Sequence, residues 1–213
     1  MNILLVLPAA EHVRIRHAGM RVPRRAMFRF SVLPLTQVAA LTPEGHRVEI
    51  CDENVTPVNF GHPADLVGLS FMTALAPRAY ELAREFRRRG KRVVAGGYHP
   101  TLAPDDAAPH VDAVVVGEAE GLWPQVVDDA ARGALQPVYR HARPPSLAGL
   151  PVPRRDLLWR TARHYATTGA VQVGRGCPHG CRYCSVTAFH GRTYRARPLE
   201  EVLCELRGMG RRL

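Results

Sequence analysis

Along the first two thirds of the chain, short apolar runs alternate with amphipathic ones, and this alternation limits the fold more than any other feature. "NILLVLP" (2–8), "HRVEICDE" (46–53), "ADLVGLSFMT" (64–73), "KRVVAGG" (91–97) and "VDAVVVGE" (111–118) read as strands. The third is apolar almost throughout, as expected of a strand covered on both faces. Helical patterns lie between and after them. "LPLTQVAALTP" (33–43) is stopped by Pro43. In "ALAPRAYELAREFRRRG", Leu75, Ala79, Leu82, Ala83 and Phe86 fall on one face before Gly90. "PDDAAPH" reads as a short helical turn, and "GLWPQVVDDAARG" (121–133) as a helix closed by Gly133. Strand–helix alternation of this kind builds a parallel sheet with helices on its faces.

Five such strands within residues 1–136 predict an α/β domain of the flavodoxin or Rossmann type. "PVYRHARPPSLAGLPVPRRDLLW" is proline-rich and aperiodic, so residues 137–164 read as a linker between domains. A second domain is predicted over 165–213. It holds "GAVQVGRGC" (169–177), a strand running into a glycine-rich turn, and "PLEEVLCELRGMGRRL" (198–213), a helix with Pro198 in its first turn. Open α/β sheets take ligands at the carboxyl ends of their strands. Ser70, Thr73, Gly96, Gly97, His99, Gly117 and Glu118 all fall there. Singly, each is also compatible with plain turn chemistry.

The formal net charge of +10 raises nucleic-acid binding. Lys91 is the only lysine among 29 basic residues, and the arginines are scattered. That is a drift of composition across the whole chain rather than a binding stripe, and nucleic acid is not expected as a partner. Arg84–Arg89 reads as the solvated end of a helix, where positive charge suits the dipole. No apolar run is long enough to span a bilayer. The start "MNILLVL" has neither a basic n-region nor a small-residue cleavage site, which points to the cytoplasm.

Five cysteines, an odd number in that compartment, argue for metal binding or catalysis rather than a disulfide framework. Cys51 ends a strand pattern and Cys204 lies on the apolar side of the last helix; both read as small buried apolar groups. The other three crowd into "GRGCPHGCRYCS": Cys177, Cys181 and Cys184. A zinc site would need a fourth ligand such as His179 or His190. A disulfide would leave one thiol over. A 4Fe–4S cluster normally takes four thiolates, and with three it keeps one iron open to a further ligand. Gly174, Gly176 and Gly180 would let a tight loop turn around such a core.

The CxxxCxxC spacing directly after a strand pattern, with aromatic Tyr183 before the last cysteine, resembles the radical S-adenosylmethionine (SAM) superfamily. The resemblance implies that Cys177, Cys181 and Cys184 hold a 4Fe–4S cluster whose open iron is chelated by SAM. It also implies one-electron cleavage of SAM to a 5′-deoxyadenosyl radical, and Tyr183 near the adenine. "DLVGLSFMT", "VVAGGYHPT" and "DAVVVGEAE", with the flanking "PLTQVAALTP" and "LPVPRRDLL", resemble the N-terminal domain of cobalamin-dependent radical SAM enzymes. That likeness implies cobalamin at Ser70, Thr73, Gly96, Gly97, His99, Gly117 and Glu118. "CSVTAFHGRTYRARPLEEVLCEL" looks closest to the subgroup that includes hopanoid C-methylases. The implied activity is methyl transfer to a small molecule, lipid-like in that subgroup, with an electron donor such as flavodoxin or ferredoxin. No Asp-x-His-x-x-Gly motif occurs, so His12, His17 and His99 are not obvious cobalt ligands, and the cofactor is expected base-off. In the family the cluster loop opens a (β/α)₆ barrel, so residues 165–213 are expected to be only its first strand, loop and helix. The 213-residue chain alone is then expected to be inactive. A cobalamin-binding module or fragment without catalysis, and a zinc-bound interaction protein, remain as alternatives.

Overall fold

The computed structural model describes residues 1–9, 32–165 and 167–210. Beyond Ala9 the loop "PAAEHVRIRHAG", with His12 and His17, lies outside the described residues. The chain opens with β1 (Asn2–Leu7), followed by helix α1 (Leu33–Ala40), β2 (Arg47–Asp52), β3 (Leu66–Ser70), α2 (Ala76–Arg88) and β4 (Arg92–Gly96). Two short helices, α3 (Tyr98–Leu102) and α4 (Pro104–Ala107), lead to β5 (Ala113–Val116), α5 (Leu122–Arg132) and β6 (Val138–Arg140). These six strands form one sheet in the order β2-β1-β3-β4-β5-β6, every neighbouring pair parallel.

Alternation along the central strands sorts the core into two layers. Ile3 and Leu5 of β1 face one side of the sheet, with Leu66, Val94 and Val115, against Leu35 and Ala39 of α1 and Trp123, Val126, Val127 and Ala130 of α5. Leu4 and Val6 face the other, with Val67, Leu69, Val93, Ala95 and Val114, against Ala79, Leu82, Ala83 and Phe86 of α2. The helix α2 forms as its spacing predicts: Ala79, Leu82, Ala83 and Phe86 are all fully buried, Pro77 stands in its first turn, and Arg87 and Arg88 in its last. The arginines are solvated; Arg88 and Arg89 both hydrogen-bond Glu85.

Three expectations change. Val138–Arg140, in the stretch read as linker, makes a sixth strand, in register Val114 to Val138 and Val116 to Arg140. Three residues are too few to show a periodicity. The strand expected over 169–177 is reduced to β7 (Gly174–Arg175), which pairs antiparallel with β8 (Arg195–Ala196). A parallel barrel strand needs partners on both sides, and among the described residues no parallel strand flanks it. Third, Cys204 is exposed on α7 (Leu199–Gly210), the helix that follows the five-residue α6 (Val186–His190). Val202 and Glu205 take the buried face instead, because the Glu205 carboxylate is clasped by Arg155 and Arg197. Cys51 is half-buried and packs against the α2 layer. Burial, together with Asp52 and Glu53, pushes its thiol up to about 12. Among the described residues no helix is long and apolar enough to cross a membrane.

Among the described residues Phe86 is the largest fully buried side chain. Phe86→Ala should lower the unfolding free energy by about 3–5 kcal/mol, the range for an aromatic deleted from a packed core. Denaturant titration of the two proteins, with unchanged slope, measures it.

Candidate functional site

The sheet order places a crevice. From β1 the chain steps outward to β2, then returns across to β3 and continues through β4 and β5. Connections leave in opposite directions on the two sides of the β1/β3 pair, which opens a crevice at the carboxyl ends of those strands. Ser70 ends β3 and Gly96 ends β4 there, and Gly117 directly follows β5.

Gly97 knits this edge together. Its φ is +93°, and a Cβ would stand 2.9 Å from the Phe71 amide nitrogen and 3.0 Å from Ser70 Oγ. No side chain fits, because the Phe71 N–H donates to the Gly96 carbonyl (3.2 Å) and the His99 N–H to the Phe71 carbonyl (3.1 Å). Glycine at 97 is therefore required by the close approach of two backbones, whatever else binds nearby. Gly117, φ +90°, has open space where a side chain would project, and its N–H donates to Thr101 Oγ1 at 2.9 Å.

His99 is engaged within the chain. Its ring is buried and stacks on Phe71 (5.7 Å). Nε2 lies 2.8 Å from the Tyr80 hydroxyl and 3.0 Å from Asp106 Oδ2, and Nδ1 lies 3.3 Å from Thr73 Oγ1. In an Nε2–H tautomer the single proton is shared between Asp106 Oδ2 and the Tyr80 hydroxyl oxygen, while Thr73 donates to Nδ1. Tyr80 in turn donates to Asp106 at 2.6 Å. Thr73, expected as a separate contact, is thus partner to His99.

Glu118 is taken up in a buried ion cluster. Arg175 Nη1 reaches its Oε2 at 2.9 Å, and His190 Nδ1 its Oε1 at 2.7 Å. Arg195 Nη1 reaches Oε2 at 3.1 Å and Nη2 bonds Oε1. Glu120 accepts from Arg175 Nη2 at 2.6 Å. Burial alone would raise the Glu118 pKa; hydrogen bonds from His190 and Arg195, with the charge of Arg175, outweigh it and hold the carboxyl at about 2. Arg175, His190 and Arg195 were not singled out in the sequence as partners of Glu118. The signal was present, two acids in "GEAE" and arginines flanking the cysteine loop, but linking them needs the three-dimensional path of the chain.

That ion cluster draws the cysteine segment to the carboxyl edge. Phe189 stacks on Tyr98 at 4.4 Å, one residue from Gly97. Burial raises the Tyr98 phenol pKa, and Cys184 close by adds to it. All three loop cysteines are free thiols, Cys181 exposed and the others half-buried. The Cys184 N–H donates to the Cys181 carbonyl (3.2 Å) and the Cys177 N–H to the Gly191 carbonyl (3.3 Å). Gly176, φ +83°, has the Thr193 carbonyl where a Cβ would go. Among the described residues no three His, Cys, Asp or Glu side chains close around a single metal ion. Tyr183 is 93% exposed, which removes a role in the core.

Residues 25–127 match the family model described as the B12 binding domain. The chain is similar to bacteriochlorophyllide d C-8(2)-methyltransferase of Chlorobaculum tepidum, 35% identical over 78% of the chain and 38% of the relative. It is similar to bacteriochlorophyllide d C-12(1)-methyltransferase of the same organism, 30% identical over 85% of the chain and 41% of the relative. It also resembles hopanoid C-2 methylase of Rhodopseudomonas palustris, 27% identical over 81% of the chain and 33% of the relative. The chain therefore spans about two fifths of the length of the first two relatives.

The low pKa of Glu118 has a pH signature. The folded state binds its proton more weakly than the unfolded state, whose carboxyl keeps the ordinary value of 4.5. The stabilisation is complete above about 4.5 and is lost as pH falls towards 2. The thermal midpoint should fall between neutral pH and about pH 3, and fall by less in Glu118→Gln, which has no such proton to bind. Melting curves of both proteins across that range check it.

Proposed function

We propose that this chain carries the cobalamin- and cluster-binding portion of a cobalamin-dependent radical SAM methyltransferase. In this reading the carboxyl edge of the sheet takes cobalamin, and Cys177, Cys181 and Cys184 hold a 4Fe–4S cluster. The observation that carries it is the docking of the thiol-bearing segment on that edge, through Glu118 with Arg175, His190 and Arg195 and through Tyr98 with Phe189. Two features that the sequence separates by some 60 positions share one side of the sheet, as a reaction drawing on both cofactors would require.

The residues present fit both groups. Three free thiols in one glycine-bearing loop are the donor set of a cluster with one open iron. Ser70, Gly96, Gly97 and Gly117 give an edge of backbone and small side chains that a flat, bulky cofactor can approach. When bound, cobalamin would supply a methyl carrier, and the cluster would supply single electrons to SAM. His99 spends both ring nitrogens on Tyr80, Asp106 and Thr73, which supports a cobalamin held without a histidine ligand from this position. Tyr183, exposed beside Cys184, offers its ring to the SAM adenine. Glu118 serves this reading through the cysteine segment rather than by touching cobalamin. The names of the relatives make bacteriochlorophyllide- and hopanoid-type small molecules the first substrates to assay, with flavodoxin or ferredoxin as electron donor.

After anaerobic incubation with iron and sulfide, the chain should retain both. Cys177→Ala, Cys181→Ala and Cys184→Ala should each lose them, whereas Cys51→Ala and Cys204→Ala should not. Equal loss in a folded Cys51→Ala protein sinks the cluster assignment.

Hydroxocobalamin should bind the chain in its base-off form, read from the optical spectrum. A base-on spectrum, or no binding at all, overturns the cobalamin reading.

A further inference from the structure

We propose that Glu118 is a positioning residue: its carboxylate fixes the cysteine loop over the carboxyl edge of the sheet by holding both stems of that loop at once. The inference rests on the cluster reading above and adds to it the residue that sets where the thiols stand.

The loop from Gly176 to Tyr194 is closed at its base by β7 and β8, which pair through only two residues each. So short a ladder by itself fixes neither the position nor the internal turns of the loop. Glu118 supplies what the ladder lacks. Arg175, the last residue before the loop, reaches Glu118 and Glu120 with separate nitrogens. Arg195, the first residue after it, contacts both oxygens of Glu118 and also donates to the Pro145 carbonyl at 2.6 Å. His190, on α6 within the loop, adds a third donor. One carboxylate thus ties the entry, the body and the exit of the loop to the turn that follows β5.

Burial makes this arrangement specific. The Glu118 side chain is 2% exposed, and those of Arg175 and Arg195 are 8% and 18%. Two guanidinium charges face the two carboxylates of Glu118 and Glu120. Charges taken out of water gain little net stability over apolar packing, but a buried charge deprived of its partner is strongly penalised. The cluster therefore selects one register of the loop and raises the energy of any displaced one. Glu118→Gln keeps the size and one acceptor oxygen but removes the carboxylate charge that Arg175 and Arg195 share, leaving Glu120 to Arg175 alone. Asp keeps the charge on a shorter arm.

The test compares the whole chain with Glu118→Gln and Glu118→Asp. Backbone hydrogen exchange is measured first, without cofactors. Glu118→Gln should speed exchange of the Cys177 and Cys184 amides roughly tenfold or more, as loss of a charge-assisted hydrogen bond allows, with β1, β3 and β4 unchanged. Glu118→Asp should recover part of that protection. After reconstitution, Glu118→Gln should shift the reduction potential and the paramagnetic resonance line shape of its cluster at an iron content equal to that of the parent, a change that lost stability alone does not produce. Uniform acceleration across the sheet, an unchanged loop, or an unaltered cluster signature in Glu118→Gln overturns the proposal. If the parent chain takes up no iron, the cluster reading fails, while the exchange experiment still decides whether Glu118 holds the loop.

Discussion

A parallel strand in the middle of a sheet has to be covered on both faces, and the organisation of this chain follows from that requirement. Ile3 and Leu5 need one helix layer and Leu4 and Val6 another. The faces are thereby closed to polar chemistry. Backbone groups at the strand ends cannot be covered in the same way, so turns, glycines and charged side chains collect at the edges. The crossing from β2 back over β1 to β3 then makes one of those edges concave. Ser70, Gly96, Gly97 and Gly117 gather there, at the ends of β3, β4 and β5 or just beyond them.

Charge does at this edge what apolar contact does between the layers. The segment carrying the cysteines has a two-residue ladder and little buried apolar surface, Tyr165 and Val202 being exceptions. It is held by salt bridges that water scarcely reaches: Arg175 and Arg195 on Glu118, and Arg155 and Arg197 on Glu205. Such contacts are directional and depend on complete pairing, so they fix where a loop lies better than they resist unfolding. The Tyr165 hydroxyl, which donates to Asp52 at 2.9 Å, repeats the theme at the end of β2.

The sheet was legible in the sequence because its strands are apolar runs and its main helices have a single buried face; α2 needed little beyond the spacing of Ala79, Leu82, Ala83 and Phe86. Strand β6 was not, since a strand of three residues has no period to detect. The expected strand over 169–177 shrank to two residues because strand character there depends on neighbours, and local sequence does not report them. At the site, the glycines were recognised, but their reason differs in part: Gly97 answers to the Phe71 backbone before it answers to any ligand. His99 and Glu118 were recognised as edge residues, whereas their partners, Tyr80, Asp106, Arg175, His190 and Arg195, are separated from them in sequence and join them only through the fold. Cys204 faces solvent, against expectation, because its helix buries the Glu205 carboxylate instead, an arrangement that hydropathy alone counts as exposed.

The two outer strands of the sheet bear on how this chain behaves at high concentration. An unpaired strand edge is a template on which a second chain can add. Here one margin ends in β6, only three residues long, with Arg140 exposed beside Val138. The other is β2, where exposed Arg47 and Glu49 lie 3.6 Å apart and His62 stands 3.3 Å from Glu49. Neither margin offers a long, flat, apolar ribbon. The strand-forming sequences most capable of self-association, in β1, β3, β4 and β5, are sequestered between them, so aggregation by strand addition has to wait for the sheet itself to open.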